Sequence, residues 1–272
     1  SYWISQELIK NGHEVVLITS TRKKNEDGTK KVIDGIEIVY VEAPYSQNMG
    51  VFGRLKAFIV FMWKSTKVAF KQKSIALVIA TSTPLTVGVP ALLLKKIKGT
   101  PYLFEVRDLW PEVPIQMGAL NNYFLRSAAL WLENIIYKNA AHIVALSPGM
   151  AEGVLRKRIK NSKVTMIPNM SKIDHFFIRP HNLEVLNTHK LKKDNFKLVY
   201  FGSMGLSNGI DYILDTAKLL KNHTDIDFIF IGYGSMIEEM LEICKTENLE
   251  NVHFLGRFGV AETSEIVNIC NI

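Results

Sequence analysis

Arg107, Asp108, Trp110 and Glu112 cluster in the run Tyr102-Leu103-Phe104-Glu105-Val106-Arg107-Asp108-Leu109-Trp110-Pro111-Glu112. The run opens as a strand: Tyr102 to Val106 are aromatic, aliphatic or β-branched apart from Glu105, and Pro111 ends regular pairing because it has no N–H to give. Open α/β sheets bind ligands at the carboxyl ends of their strands, which is where these side chains arrive. Arg107 stays protonated at neutral pH, so it serves as a cation for Asp108 or a phosphate and not as a base. The plainer alternative is an Arg–Asp pair that only ties a loop down.

Two further runs have usable chemistry. Gly202-Ser203-Met204-Gly205-Leu206-Ser207-Asn208-Gly209 lies between an expected strand and an expected helix. Glycines let a backbone approach a phosphate, and a helix N-terminus offers N–H groups and partial positive charge. The run lacks the Lys-Ser/Thr of a P-loop, which argues against a Mg-nucleotide hydrolase. Ala80-Thr81-Ser82-Thr83-Pro84 also joins a strand to a helix. Its hydroxyls, Ser82 and Thr83, suit an anion or a sugar hydroxyl, or a helix cap.

Other patterns are set aside. Gly232-Tyr233-Gly234 begins like a dinucleotide fingerprint, but Ile237 stands where the third glycine belongs, so an NAD enzyme is not indicated. Asp225-Ile226-Asp227 precedes its strand and so falls at the wrong end of the sheet for a metal site. No His, Cys, Asp and Glu have metal-ligand spacing, and there is no Gly-x-Ser-x-Gly nucleophile elbow.

Positioning these runs requires strands that end side by side. Strands are expected near 14–19, 36–41, 76–80, 101–106, 142–146 and 163–167, with helices near 52–72, 85–98, 122–139 and 148–159. This is the alternation of a doubly wound parallel sheet. Residues 22–35 are polar, with Gly28 and Gly35, and read as a surface loop or hairpin. Residues 168–180 break the pattern, and 181–196 are polar without apolar period. Strands then return at 196–201, 227–231 and 252–255, each followed by a helix. The expected domains are residues 1–170, a linker over 171–196, and residues 197–272. A helix over residues 1–11 with no strand before it, and three strands in the second domain where about six are usual, point to a chain truncated at both ends.

Composition is that of a globular α/β chain: 272 residues, 47% hydrophobic and 22% charged. Residues 1–170 carry 23 Lys and Arg against 12 Asp and Glu, a net +11, while residues 171–272 carry 10 against 14, a net −4, giving the overall +7. Such asymmetry suits two domains with different partners. A basic half can meet a phosphorylated substrate, an anionic membrane or nucleic acid, and the acidic half argues against the last. Cys244 and Cys270 are too few for a disulfide framework. No apolar run is long enough to cross a bilayer. Over residues 52–72, Phe52, Leu55, Ile59, Met62, Trp63 and Phe70 share one helical face, and Lys56, Lys64, Lys67 and Lys71 the adjacent one. Either this is a core helix with a solvated lysine edge, or it is a contact with anionic lipid.

The order of motifs resembles the family 4 glycosyltransferases, and within them the capsule and O-antigen enzymes of the fucosamine-transferase type. The resemblance rests on Gly12-His13-Glu14-Val15, Arg107-Asp108-Leu109-Trp110-Pro111-Glu112, Ala145-Leu146-Ser147-Pro148-Gly149-Met150, Ile167-Pro168-Asn169, Gly202 to Gly209, Phe230-Ile231-Gly232-Tyr233-Gly234 and Phe254-Leu255-Gly256-Arg257. It implies the GT-B architecture, two Rossmann-like doubly wound domains facing a cleft, with the acceptor on the first and the donor on the second. The implied reaction is transfer from a nucleoside-diphosphate sugar to a lipid-diphosphate-linked or glycan acceptor, with retention, in capsule or O-antigen synthesis. No cofactor or metal is implied beyond the nucleotide sugar. By position, Asp108 and Arg107 face the reacting sugar. Gly202, Ser203, Gly205 and Asn208 hold the diphosphate, and Arg257 and Phe258 the nucleoside. Ser82, Thr83, Trp110 and Glu112 lie on the acceptor side. The implied location is cytoplasmic, peripheral on the inner membrane face, where Lys56, Lys64, Lys67 and Lys71 meet anionic lipid. Two departures stand out: Arg107 occupies a place where many members have His, and a Lys common near Asn208 is absent. The paired-glutamate motif is expected beyond Ile272, and a fragment lacking it is expected to be inactive. Alternatives are a GT-B nucleotide-sugar epimerase and a non-catalytic nucleotide-sugar binder.

Overall fold

The computed structural model describes residues 2–45, 49–116, 118, 120–171, 173–205 and 208–272. The chain divides into two compact units, Ser1–Asn169 and Met170–Ile272.

The first unit runs α1 (Tyr2–Lys10), β1 (Val16–Thr21), β2 (Lys30–Ile33), β3 (Ile36–Glu42), α2 (Val51–Lys71), β4 (Val78–Thr81), α3 (Gly88–Lys98), β5 (Tyr102–Val106), α4 (Glu112–Gln116), α5 (Tyr123–Asn139), β6 (His142–Ala145), α6 (Pro148–Leu155) and β7 (Val164–Met166). β1 and β3 pair in parallel, and β2 folds back antiparallel on β3 through a turn at Asp34 and Gly35. β4, β5, β6 and β7 form an all-parallel sheet in that order. The six strands expected from the sequence are present, but in two sheets: among the described residues β1 has no partner other than β3, and β4 none other than β5.

Burial explains why β5 is central. Tyr102, Phe104 and Val106 are at most 1% exposed, and on the other face Glu105 is 9% exposed and Leu103 half-buried. A strand buried on both faces must read as almost continuously apolar, as this one does. Its core partners include Ile136 and Tyr137 of α5 and Ala91 next to Leu94 of α3. Each large apolar side chain so removed from water contributes about 1.5–3 kcal/mol. Local signals fix the helix ends. Asn122 Oδ1 accepts from the N–H groups of Phe124 and Leu125 at 2.9 and 3.2 Å, and Ser147 Oγ from that of Met150 at 3.3 Å. Gly99, at φ 74°, closes α3 in the left-handed region.

The second unit runs α7 (Leu183–Thr188), β8 (Phe196–Ser203), α8 (Ile210–Leu219), β9 (Ile226–Tyr233), α9 (Ile237–Thr246), β10 (Val252–Gly256) and α10 (Val260–Asn268). β9 lies between β8 and β10, parallel to both. The period of two along β9 divides the core: Phe228 and Phe230 pack with Ile210, Leu214 and Met240, while Ile229 and Ile231 pack with Leu186, Leu191 and Ile266. Residues 171–196, a linker by composition, lie within this unit. Leu186 and Leu191 are only 6% exposed, and two apolar anchors within a polar stretch make no periodic signal. The segment before α7 is held by Arg179, which donates to the His175 carbonyl at 3.0 Å and to Ser264 Oγ at 2.9 Å and pairs with Glu265 at 2.8 Å. Asp227 sits 3.1 Å from His253 Nε2, a part-buried pair. Burial pushes the Cys270 thiol up to about 11 and raises that of Cys244, as expected of packed, unreactive cysteines.

Candidate functional site

In the first unit the site is built where β4 and β5 end. Their register pairs Thr81 with Glu105, so the two following loops emerge next to each other. The Ser82 N–H donates to the Glu105 carbonyl at 2.9 Å, and Ser82 Oγ accepts from the Arg107 N–H at 3.0 Å. Ser82 is 1% exposed, so its hydroxyl is a splint between the loops and is not open to a substrate. Beyond it, Thr83 Oγ1 donates to Asp108 Oδ2 at 2.6 Å, and both residues are exposed. Arg107 turns the other way, its Nη2 reaching Asn169 Oδ1 at 3.4 Å. Among the described residues Arg107 and Asp108 form no ion pair, so the loop is not tied by that pair but by the two hydroxyls. The Thr83–Pro84 and Trp110–Pro111 peptides are cis.

Ser82, Thr83, Arg107, Asp108, Leu146 and Asn169 line one end of a cavity of about 1400 Å³. Of the four residues assigned to the acceptor side, only Ser82 and Thr83 are there. Trp110 is half-buried, its ring meeting Phe58 edge-on at 6.1 Å and packing on the core, because Pro111 and Leu109 beside it are anchored inward. Leu109 occupies space left by Gly153, where a Cβ would come within 2.6 Å of it. Glu112 is exposed at the start of α4 and accepts from Gln116 Nε2 at 3.1 Å. Leu146 and Asn169, absent from the residues expected at the site, also line this cavity. Their signal was available, since each follows a strand end, at β6 and β7.

In the second unit the corresponding feature is the turn between β8 and α8. Leu206 and Ser207 lie outside the described residues. Tyr200 donates its hydroxyl proton to the Ser203 carbonyl at 2.8 Å and accepts from Asn208 Nδ2 at 3.2 Å. The Asn208 N–H donates to the Gly205 carbonyl at 3.0 Å. Gly202, Ser203, Gly205 and Asn208 thus share one turn, braced by Tyr200. Gly209 takes φ 62° as the N-cap of α8, with no side-chain cap. The positive end of that helix dipole therefore carries no capping oxygen from its own N-cap residue. The turn packs directly on the one after β9. A Cβ on Gly232 would stand 1.9 Å from the Gly202 carbonyl oxygen, and one on Gly234 2.0 Å from that of Met204. These glycines are required by backbone contact alone, which accounts for the fingerprint-like pair without a dinucleotide. Arg257 is exposed after β10, whereas Phe258 packs on the Leu186 and Leu191 core and meets His189 edge-on at 5.4 Å.

On α2 the buried stripe is Ala57, Ser65 and Ala69, with Phe58 and Phe61 beside it. Of the apolar face that the sequence offered as core or lipid contact, Phe52 is 86% exposed and Trp63 60%, Leu55 and Ile59 are also exposed, and Met62 and Phe70 are half-buried. Small residues let the helix approach its neighbours closely, and this overrides bulk hydrophobicity in choosing the inner face. Lys56, Lys67 and Lys71 are exposed, while Lys64 is held by Asp27 at 3.0 Å. Among the described residues no helix is long and apolar enough to cross a membrane, and no three His, Cys, Asp or Glu gather as a metal site.

The Glycosyl transferase 4-like domain profile matches residues 1–170. A probable glycosyltransferase of Pseudomonas aeruginosa, WbjE, is 23% identical over 224 residues, covering 81% of this chain and 55% of its own. The chain thus spans about half the length of the curated relatives it matches. Sucrose-phosphate synthase of Thermosynechococcus elongatus superposes with a TM-score of 0.76 at 15% identity, over 99% of this chain and 67% of that one. Anabaena HepE in complex with UDP-glucose gives 0.60 at 15% identity, over 86% and 58%. The profile covers the unit that carries Asp108, the superpositions establish a GT-B fold, and the chain belongs to the glycosyl transferase 4-like family.

Proposed function

We propose that this protein moves a sugar from a nucleoside-diphosphate sugar to a lipid-diphosphate-linked or glycan acceptor, with retention of anomeric configuration, in capsule or O-antigen synthesis. The observation that carries the reading is the family match over residues 1–170, the stretch whose adjacent strand ends hold Ser82, Thr83, Arg107 and Asp108. The acceptor hydroxyl gives its oxygen to the anomeric carbon, whose bond to the diphosphate oxygen breaks. Its proton leaves with the nucleoside diphosphate. The charge that develops on that diphosphate needs preorganised donors. The Gly202–Asn208 turn and the start of α8, whose N-cap Gly209 brings no side-chain oxygen of its own, support that role, with Arg257 contributing a cation near the nucleoside. No cofactor or metal enters this scheme. HepE holding UDP-glucose supports a uridine donor.

In this reading Asp108, oriented by Thr83, faces the transferred sugar, and Arg107 stands by as a phosphate cation. The exposed Phe52, Leu55, Ile59 and Trp63 next to Lys56 and Lys67 support peripheral binding to the inner membrane face. Each basic residue near an anionic surface adds about 1 kcal/mol.

The test is transfer by the protein expressed from its full reading frame, with a panel of nucleoside-diphosphate sugars and a polyprenyl-diphosphate-linked acceptor. Product mass reports transfer and NMR of the new linkage its configuration. Asp108→Ala is expected to lower kcat at least about 100-fold, the scale of one lost catalytic group, and donor Kd less than about threefold. Parallel loss of both, with a weakened fold, leaves Asp108 a mere loop tie. Epimerisation of the donor without acceptor would overturn the transferase reading.

A further inference from the structure

Arg107 and Asp108 carry opposite charges side by side, yet each is held by a neutral partner. Asp108 accepts from the Thr83 hydroxyl at 2.6 Å, and Arg107 donates to the Asn169 amide oxygen at 3.4 Å. Cations that only hold structure in this protein are treated differently. The half-buried Arg179 pairs with Glu265 at 2.8 Å, Lys157 with Glu133 at 2.7 Å and Lys64 with Asp27 at 3.0 Å. In each of those pairs a carboxylate fixes the cation and also cancels its charge. Among the described residues no carboxylate pairs with Arg107, and its guanidinium makes no bond other than the one to Asn169.

Both side chains start from fixed backbone. The Arg107 N–H donates to the buried Ser82 hydroxyl at 3.0 Å. Ile167, two residues before Asn169, donates its N–H to the Ala145 carbonyl at 2.9 Å, and Pro168 between them restricts the chain further. Arg107 and Asn169 are exposed and line the same end of the cavity as Thr83 and Asp108. The cavity's other carboxylate and its lysine, Glu14 and Lys73, stand before β1 and β4, at strand starts and not at strand ends. A guanidinium is thus steered into a cavity with most of its N–H donors unused.

We infer that Asn169 is a positioning residue: its amide oxygen aims the Arg107 guanidinium into the cavity and, being neutral, leaves the whole charge for a phosphate carried by a substrate. Guanidinium keeps its proton at any working pH and matches phosphate oxygens with a planar pair of N–H groups. A carboxylate in place of the amide would hold the side chain more firmly and cancel the charge that the phosphate needs. At 3.4 Å the bond is at the long end of the hydrogen-bond range, so it steers the guanidinium without clamping it. The inference rests on the transfer proposed above for the source of the phosphate. A nucleoside diphosphate and a lipid-diphosphate acceptor present the same oxygens, and the experiment separates them.

The test compares Asn169→Asp with Asn169→Ala in the protein from its full reading frame. A merely structural bond survives in Asn169→Asp, which would then stay within about threefold of wild type in kcat/KM and leave Asn169→Ala the worse variant. If Asn169 keeps Arg107 available, the order reverses. Asn169→Asp then loses at least about 30-fold, the scale of one charge-assisted hydrogen bond, and Asn169→Ala about 3–10-fold, the scale of a neutral one. The urea midpoint of Asn169→Asp is expected not to fall. In an Arg107→Ala background Asn169→Asp should add less than about threefold, and an undiminished effect there overturns the inference. A rise confined to the Kd of UDP assigns the phosphate to the donor. A rise confined to the KM of a polyprenyl-diphosphate-linked acceptor, and absent with the same glycan as an alkyl glycoside, assigns it to the acceptor. The Kd of inorganic pyrophosphate on the same proteins needs no turnover. If wild type transfers no sugar but pyrophosphate still ranks the variants in this order, the transfer reading fails and Asn169 keeps its role. The structural order, or no change in any of these constants, overturns the inference.

Discussion

The loops after β4 and β5 and the turns after β8 and β9 do one job by different means. Each joins the carboxyl ends of two adjacent parallel strands into one surface. In the first unit side chains make the join: Ser82 Oγ to the Arg107 N–H, and Thr83 Oγ1 to Asp108 Oδ2. In the second the backbones touch, which only Gly232 and Gly234 permit. A join through hydroxyls can be retuned residue by residue, so the first surface can vary while the strands stay put. A backbone join cannot be retuned without moving a strand end, so the second surface tolerates no side chain at Gly232 or Gly234. In the function proposed above, the first surface would take the acceptor and the second the diphosphate.

The largest effect is expected from breaking the backbone join. Gly234→Ala places a Cβ 2.0 Å from the Met204 carbonyl oxygen and should destabilise the protein by at least about 3 kcal/mol, read from the urea midpoint. Gly149→Ala, where a Cβ meets nothing within 4 Å, is the control expected to leave the midpoint nearly unchanged. Next is the buried hydroxyl. Ser82→Ala leaves the Arg107 N–H without its acceptor and should cost about 1–3 kcal/mol. A cost near zero there would mean that the first-unit loops hold themselves without the splint.

Thr83→Val should cost less, about 0.5–1 kcal/mol, because the bond to Asp108 is exposed. Its sharper effect is on turnover: kcat should fall with donor Kd unchanged, if Thr83 orients Asp108. The smallest effect concerns the tie behind these loops, where Lys157 Nζ lies 2.7 Å from the Glu133 carboxylate. Burial raises the Glu133 pKa in the folded state, with Lys157 partly offsetting it. The folded state then binds more protons than the unfolded one between the ordinary carboxyl pKa and the raised value, so this group's contribution to stability falls as pH rises through that window. Glu133→Gln should remove that slope. Urea midpoints from pH 4 to 7 should therefore show wild type losing ground to the variant as pH rises, and equal slopes would sink the assignment.

How much was legible in advance depended on whether a signal is local. β5 was readable because a doubly buried strand must be apolar throughout, and α6 because Ser147-Pro148 is a cap followed by a first-turn proline. For α2 the sequence left two alternatives, a core helix or a lipid contact, and only the fold turns the small Ala57, Ser65 and Ala69 inward and leaves Phe52 and Trp63 exposed. The packing of segment 171–196 was not legible, because Leu186 and Leu191 anchor it by contact with β9 and two residues make no period. Trp110 and Phe258 looked like site residues because of their neighbours in sequence, but their rings are used in packing.

The amino-acid sequence by itself determined the alternation of strand and helix, the two regions of opposite net charge and the motifs by which the family is recognised. All of these follow from the identities of residues a few positions apart. Only the tertiary structure decided that Asp108 is held by Thr83 and not by Arg107, that the glycine pair serves backbone contact, and that β1 and β4 line one cavity. Those outcomes depend on which backbones come within a few ångströms of each other, and residues 25 or more positions apart leave no local pattern to announce it.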